Sequence, residues 1–110
     1  MPNFKIFADS AIRPTLGETL KEELPALATI LMERLEVGRP ACQLALIWVE
    51  APADQPALNI ELSIMPGPKR QRAMLEELAR ELQARITALG APQPAIRISQ
   101  LDAATYVALK

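Results

Sequence analysis

The sequence predicts an α+β fold with elements in the order β-α-β-β-α-β, two helices lying on one face of a four-stranded mixed sheet. Three observations carry that prediction. Two stretches space their leucines three and four residues apart, shorter stretches alternate or run continuously apolar, and prolines and glycines separate them. At 110 residues, 50% hydrophobic and a net charge of −1, the chain suits a single domain over 1–110 with a core of its own.

Asn3 to Ala8 alternates, placing Phe4, Ile6 and Ala8 on one face, and predicts the first strand. From Thr15 to Glu36 the residues Leu16, Leu20, Leu24, Leu27, Leu31 and Leu35 form one helical stripe. Pro25 interrupts it. Proline has no amide proton and crowds the preceding turn, so a kink or a loop-like first half is expected, with secure helix from about Leu24 to Leu35. Gly38 is the expected C-cap, and Pro40 stops continuation. Cys42 to Val49 is apolar on both faces, as a buried strand requires. Ala57 to Ile64 alternates again and reads as its hairpin partner, closed by Pro66-Gly67-Pro68. Lys69 to Leu89 is the second helix, with Met74, Leu75, Leu78, Leu82, Ile86 and Leu89 inward and Gly90 at its end. Ala95 to Leu101 alternates as the fourth strand, and Ala104 to Leu109 is either a short fifth strand or a hook.

With both helices on one face, the other face of the sheet needs cover. Ala45, Ile47 and Val49 against Leu44, Leu46 and Trp48 make both sides of the second strand apolar. A chain of this length has no third layer to supply, so self-association is the simplest remedy; a monomer with a partly apolar open face is the alternative.

Composition removes several function classes. Twelve basic against thirteen acidic side chains give no basic excess for nucleic acid. Phe4, Phe7, Trp48 and Tyr106 are the only aromatics, too few for a base-stacking platform. No apolar run is long enough for a membrane span, and no signal-peptide pattern opens the chain. A single cysteine, Cys42, makes no intrachain disulfide and points to the reducing cytoplasm. It reads as a small core hydrophobe. No histidine is present, which excludes the usual triads and the usual general base near neutral pH.

Pro2 offers a substitute. Removal of Met1 would leave a secondary amine, and terminal amines titrate near 7.7–8.0, well below lysine. Apolar burial or a neighbouring cation lowers such a group further.

Met1-Pro-Asn-Phe-Lys-Ile6 at the head of a β-α-β-β-α-β chain resembles the tautomerase superfamily, whose members use an amino-terminal proline as general base. Similarity to the 5-carboxymethyl-2-hydroxymuconate isomerase family lies in that opening, in Asp9-Ser-Ala-Ile-Arg13, Trp48-Val-Glu50, the Gly67 turn and Ala108-Leu-Lys110. Similarity to the macrophage migration inhibitory factor family lies in Gly38-Arg39-Pro40, Ser63-Ile64 and Asp102. The resemblance implies a homotrimer with proline pockets at subunit interfaces, no cofactor, and Pro2 as the catalytic residue. It also implies a cytoplasmic isomerase of aromatic-compound catabolism acting on a small carboxylate such as a 2-oxo acid or a 2-hydroxymuconate, with no nucleic-acid or membrane partner. Arg39 stands at a lysine that assists substrate binding, Ile64 at a pocket-lining residue, and Arg97 at a pocket tyrosine. Gln43 and Pro68-Lys69-Arg70 depart from the arginine positions of the muconate isomerases.

Two further readings accompany that one: hydration, decarboxylation or dehalogenation by a protonated Pro2 on the same fold, and a trimeric binding protein without turnover. Lys69, Arg70 and Arg72 would put three cations in a first helical turn, against the helix dipole. They read either as an anion site or as a solvated patch offset by Glu76 and Glu77. Lys5 reads either toward the Pro2 pocket or toward solvent. Trp48 reads as packing, and Asp9 and Asp102 as turn-shaping residues.

Overall fold

β1 (Asn3–Asp9) is the strand around which the others assemble. The computed structural model, which describes all residues from Met1 to Lys110, adds α1 (Arg13–Leu35), β2 (Gln43–Val49), β3 (Leu58–Ile64), α2 (Arg72–Thr87) and β4 (Ala95–Gln100). The sheet order is β2-β1-β3-β4. β1 pairs parallel with β2 and antiparallel with β3, and β3 pairs parallel with β4. Each helix therefore makes the crossover that a parallel pair needs, and two β-α-β units join along β1 and β3.

This order corrects the expected hairpin. β2 and β3 follow one another in sequence, yet β1 lies between them. Burial explains the choice. On β3, Leu58, Ile60, Leu62 and Ile64 are sealed beneath the helices, a demand only a central strand satisfies. On β2, Leu44, Leu46 and Trp48 are half-buried, which an edge strand tolerates.

α1 runs without a break through Pro25, so the loop-like first half is also corrected. Pro25 is exposed, and so is Lys21, whose carbonyl loses the amide partner a non-proline residue would supply, so the missing bond lies on the outer side of the helix. The Thr29 hydroxyl donates to the Pro25 carbonyl at 3.2 Å. The helix ends at Leu35, three residues before Gly38. Glu36, with φ 54°, takes the left-handed conformation, and the amide of Val37 then reaches the Met32 carbonyl at 3.1 Å. Gly38 is extended. α2 begins at Arg72, three residues later than expected, and Gly90, at φ +86°, closes the turn that follows it.

Between helices and sheet, Phe4, Ile6, Leu20, Leu27, Leu31, Leu78, Leu82 and Ile86 are fully buried, each stabilising the fold by about 1.5–3 kcal/mol. Arg34 pairs with Glu81 at 2.7 Å, and Arg85 pairs with Glu23, so the outer rims of the two helices are also joined. α1 passes Trp48 of β2 at Gly17: a Cβ there would lie 3.5 Å from the Trp48 ring, an ordinary contact distance, and 3.2 Å from Arg13 Cγ.

No element covers the second face. Register places Ala45, Ile47 and Val49 of β2 with Phe7 of β1 on its apolar half. The other half is polar, and one row across it reads Lys5, Glu61, Arg97. After β4 the chain forms a turn rather than a fifth strand: Tyr106's amide donates to the Asp102 carbonyl at 2.9 Å. Tyr106, Val107 and Leu109 are the only large apolar side chains left exposed. No helix is long and apolar enough to cross a membrane.

Candidate active site

The starts of β1 and β2 and the ends of β3 and β4 meet at one end of the sheet, because Asn3 lies opposite both Gln43 and Ser63, and Ile64 opposite Gln100. Pro2 sits there, buried, and the amide of Gln43 donates to its carbonyl at 2.9 Å. Ile64, fully buried, accepts from the amide of Leu101 at 2.8 Å. Arg39 occupies a short 3-10 turn, Arg39–Ala41, that leads into β2. Its guanidinium donates to the Cys42 carbonyl at 3.0 Å, which holds the arginine against the same end of the sheet. Pro2, Arg39 and Ile64 thus share one end of the molecule.

Arg97 does not join them. It lies on β4 opposite Glu61, with β3 between it and β1, and donates to Asn59 Oδ1 at 3.3 Å. Two strand spacings already separate β4 from β1 by about 10 Å. Lys5 leaves β1 on the face carrying Glu61, the face opposite to Phe4 and Ile6.

The cationic cluster disperses. Lys69 and Arg70 precede α2, so only Arg72 stands in its first turn. Lys69 pairs with Glu36 at 3.2 Å and Arg72 with Glu76 at 2.9 Å. Arg70 donates to the carbonyls of Met65 at 2.8 Å and Leu35 at 3.1 Å, tying the end of β3 to the end of α1. Asp9 and Asp102 shape turns, accepting from the amides of Ala11 and Ala104 at 3.0 and 2.9 Å.

The electrostatics at the Pro2 end favour neutral groups. Burial, reinforced by Lys110 and then Arg70, holds the Met1 amine below its ordinary value, with Cys42 acting weakly the other way. Burial pushes the Cys42 thiol up, against the opposing pull of Arg39 and of the amine. Sequence reasoning assigned neither Arg70 nor Lys110 to this end. Lys110 meets Met1 from the opposite end of the chain, and no local spacing signals a contact that topology alone creates.

A surface groove of about 650 Å³ lies elsewhere, between α2 and β4, and is lined by Arg72, Leu75, Ile96, Arg97, Ile98 and Gln100 among others. It is an open trough beside an edge strand whose outer backbone is unpaired, and Pro2 does not line it.

No protein-family model matches the chain, and no curated protein does. Solved structures do match in shape. A macrophage migration inhibitory factor-like protein from Entamoeba histolytica superposes with a TM-score of 0.72 at 13% identity, over 97% of this chain and 94% of that one. A member of the cis-3-chloroacrylic acid dehalogenase family gives 0.66 at 12% identity, over 90% and 74%. A fused 4-OT solved as an asymmetric trimer gives 0.72 at 13% identity, over 96% and 91%. The chain therefore has the tautomerase fold, two helices on a four-stranded mixed sheet, as its sequence pattern and resemblance predicted.

Proposed function

We propose that this protein is a cofactor-independent keto–enol tautomerase of small 2-oxo carboxylic acids, working as a homotrimer, with the secondary amine of Pro2 as its base once Met1 has been removed. The observation that carries the reading is a buried proline at the head of β1, fixed through its carbonyl and set among Arg39, Arg70 and Lys110. Burial and cations that depress the Met1 amine would act in the same sense on a Pro2 amine. An amine kept neutral is a base.

In the proposed step the Pro2 nitrogen takes a proton from the carbon beside the substrate's carbonyl, and the electron pair moves into the enol. The protonated amine then gives the proton to the enolate oxygen, completing the enol, or, on an unsaturated substrate, to the far carbon of the dienolate. Arg39 spends one N–H on the Cys42 carbonyl and has others free for the substrate carboxylate. Ile64 supplies an apolar wall. Arg97 cannot serve Pro2 of its own protomer, so it is assigned to the site of a neighbouring copy, where it stabilises the developing oxyanion. A homotrimer is supported by the uncovered apolar half of the sheet, with Phe7, Ala45, Ile47 and Val49, and by the trimeric state of the fused 4-OT of the same fold.

The reading is tested by intact mass followed by turnover of a panel of enol acids, including phenylenolpyruvate. Loss of the Met1 mass and a rate that rises as the amine deprotonates are expected. A rate that falls over that range would replace the base with acid chemistry, and retained Met1 would sink the mechanism outright.

A further inference from the structure

The segment after β4 does not fold back along that strand. The turn closed by Asp102 and Tyr106 sends it across the end of the sheet, until Lys110 Nζ contacts Met1 Sδ. Its start is pinned to the same end by the hydrogen bond from Leu101 to Ile64. The charged and titratable groups facing this end are Arg39 from the turn before β2, Cys42, Arg70 from the turn before α2, and Lys110. Both arginines are engaged with backbone carbonyls: Arg39 with Cys42, Arg70 with Met65 and Leu35. Cys42 is buried. Lys110 makes no ion pair and donates to no protein oxygen; its one partner is a thioether that departs with Met1.

We propose that Lys110 is a second cation of the Pro2 site, joining Arg39 in receiving the acid group of the substrate, in the volume that Met1 vacates. This inference rests on the Pro2 reading. It narrows the substrate to one whose acid group sits close to the carbon that loses its proton, because the ammonium and the amine face the same vacated space. Lys110 is exposed, so its effect is modest and weakens with salt.

The test uses the parent protein and its Lys110→Gln and Lys110→Arg variants, each confirmed by mass to lack Met1. Alkylation of Pro2 by iodoacetamide, read on the Pro2 peptide, is followed against pH. Turnover of an enol acid is compared with that of its methyl ester. Lys110→Gln is expected to slow Pro2 alkylation by about two- to fivefold below the amine's titration and not above it. It should also raise KM for the acid but not for the ester, with Lys110→Arg restoring both. Superimposable profiles and an unchanged acid-to-ester ratio in Lys110→Gln overturn the proposal while leaving a reactive Pro2 intact. A parent whose Pro2 cannot be alkylated at any pH overturns the Pro2 reading, and this inference with it.

Discussion

The amide of Gln43 donates to the carbonyl of Pro2 at 2.9 Å, so the first residue of β2 fixes the residue that precedes β1. The anchor uses Pro2's oxygen and leaves its nitrogen out of the scaffold. Structure and chemistry at this position are therefore separable by mutation. Pro2→Ala keeps the carbonyl and should keep the fold, with a denaturation midpoint close to the parent's. Turnover should fall by about 10²–10⁴, the usual contribution of a positioned base. Steady-state kinetics beside urea melts check both halves, and a Pro2→Ala protein with parental activity removes the proline from the mechanism.

Arg97 and Pro2 are separated by β3 within one protomer, which makes sharing between copies measurable. Pro2→Ala and Arg97→Ala proteins, each assayed alone, should be inactive and impaired respectively. Unfolded together and refolded as mixed assemblies, they should regain activity, because some sites then pair an intact Pro2 with an intact Arg97 from another copy. Mixtures no more active than the sum of their parts would count against a shared site.

Arg70 reaches two carbonyls from different elements, and its guanidinium is half-buried. Hydrogen bonds to charged groups contribute about 1.5–3 kcal/mol each, and less where water can replace them. Arg70→Ala should therefore cost about 2 kcal/mol in chemical denaturation. Arg70→Lys should recover less than half of that, since a single ammonium does not span the same fork. Equal stability of all three proteins would make the contacts incidental.

How much was legible from sequence follows from what each feature depends on. Periodicity set by side chains along one element, such as Leu78, Leu82 and Ile86 on α2, was readable because burial acts on each residue where it stands. The pairing of β3 with β1 was not, since alternation says which face is buried and nothing about which strand is the neighbour. The loop-like half expected at Pro25 does not form, because Pro25 and Lys21 both stand on the exposed side of α1, where a missing hydrogen bond costs least. Pro2, Arg39 and Ile64 could be named from motif resemblance. Lys110 comes to the Pro2 end only through the path of the chain beyond β4, and the sheet order sets Arg97 apart from Pro2 of its own protomer.

Cys42 gives a pH dependence with a definite sign. Burial raises its thiol above the ordinary value of 9.0, so the unfolded chain loses this proton first as pH climbs. Its contribution to stability is complete below about pH 9 and is lost as pH rises toward the folded value. Cys42→Ala should cost about 1 kcal/mol near neutrality through lost packing. Its stability should then decline less steeply than the parent's between pH 8.5 and 10.5, a range chosen to bracket the thiol's ordinary value. Parallel declines in denaturation midpoint would show that the thiol does not titrate between the two states.

Glu36 presents the last case, a side chain in a conformation that suits glycine. At φ 54° its Cβ crowds the following carbonyl, at a cost of roughly 1–2 kcal/mol. Glycine removes that crowding but gives up about 0.5–1 kcal/mol of chain entropy. The ion pair with Lys69 that would be lost is exposed on both sides and contributes little. Glu36→Gly should therefore stabilise the protein by about 0.5 kcal/mol, the difference between these terms. Glu36→Ala, which keeps the Cβ, should not. If both variants gain equally, relief at the backbone is not the cause and a charge effect is. If neither gains, the left-handed cap at Glu36 carries no strain to release. Urea denaturation of the three proteins side by side, in low and high salt, separates these outcomes, because the backbone contribution is indifferent to salt and the ion pair is not.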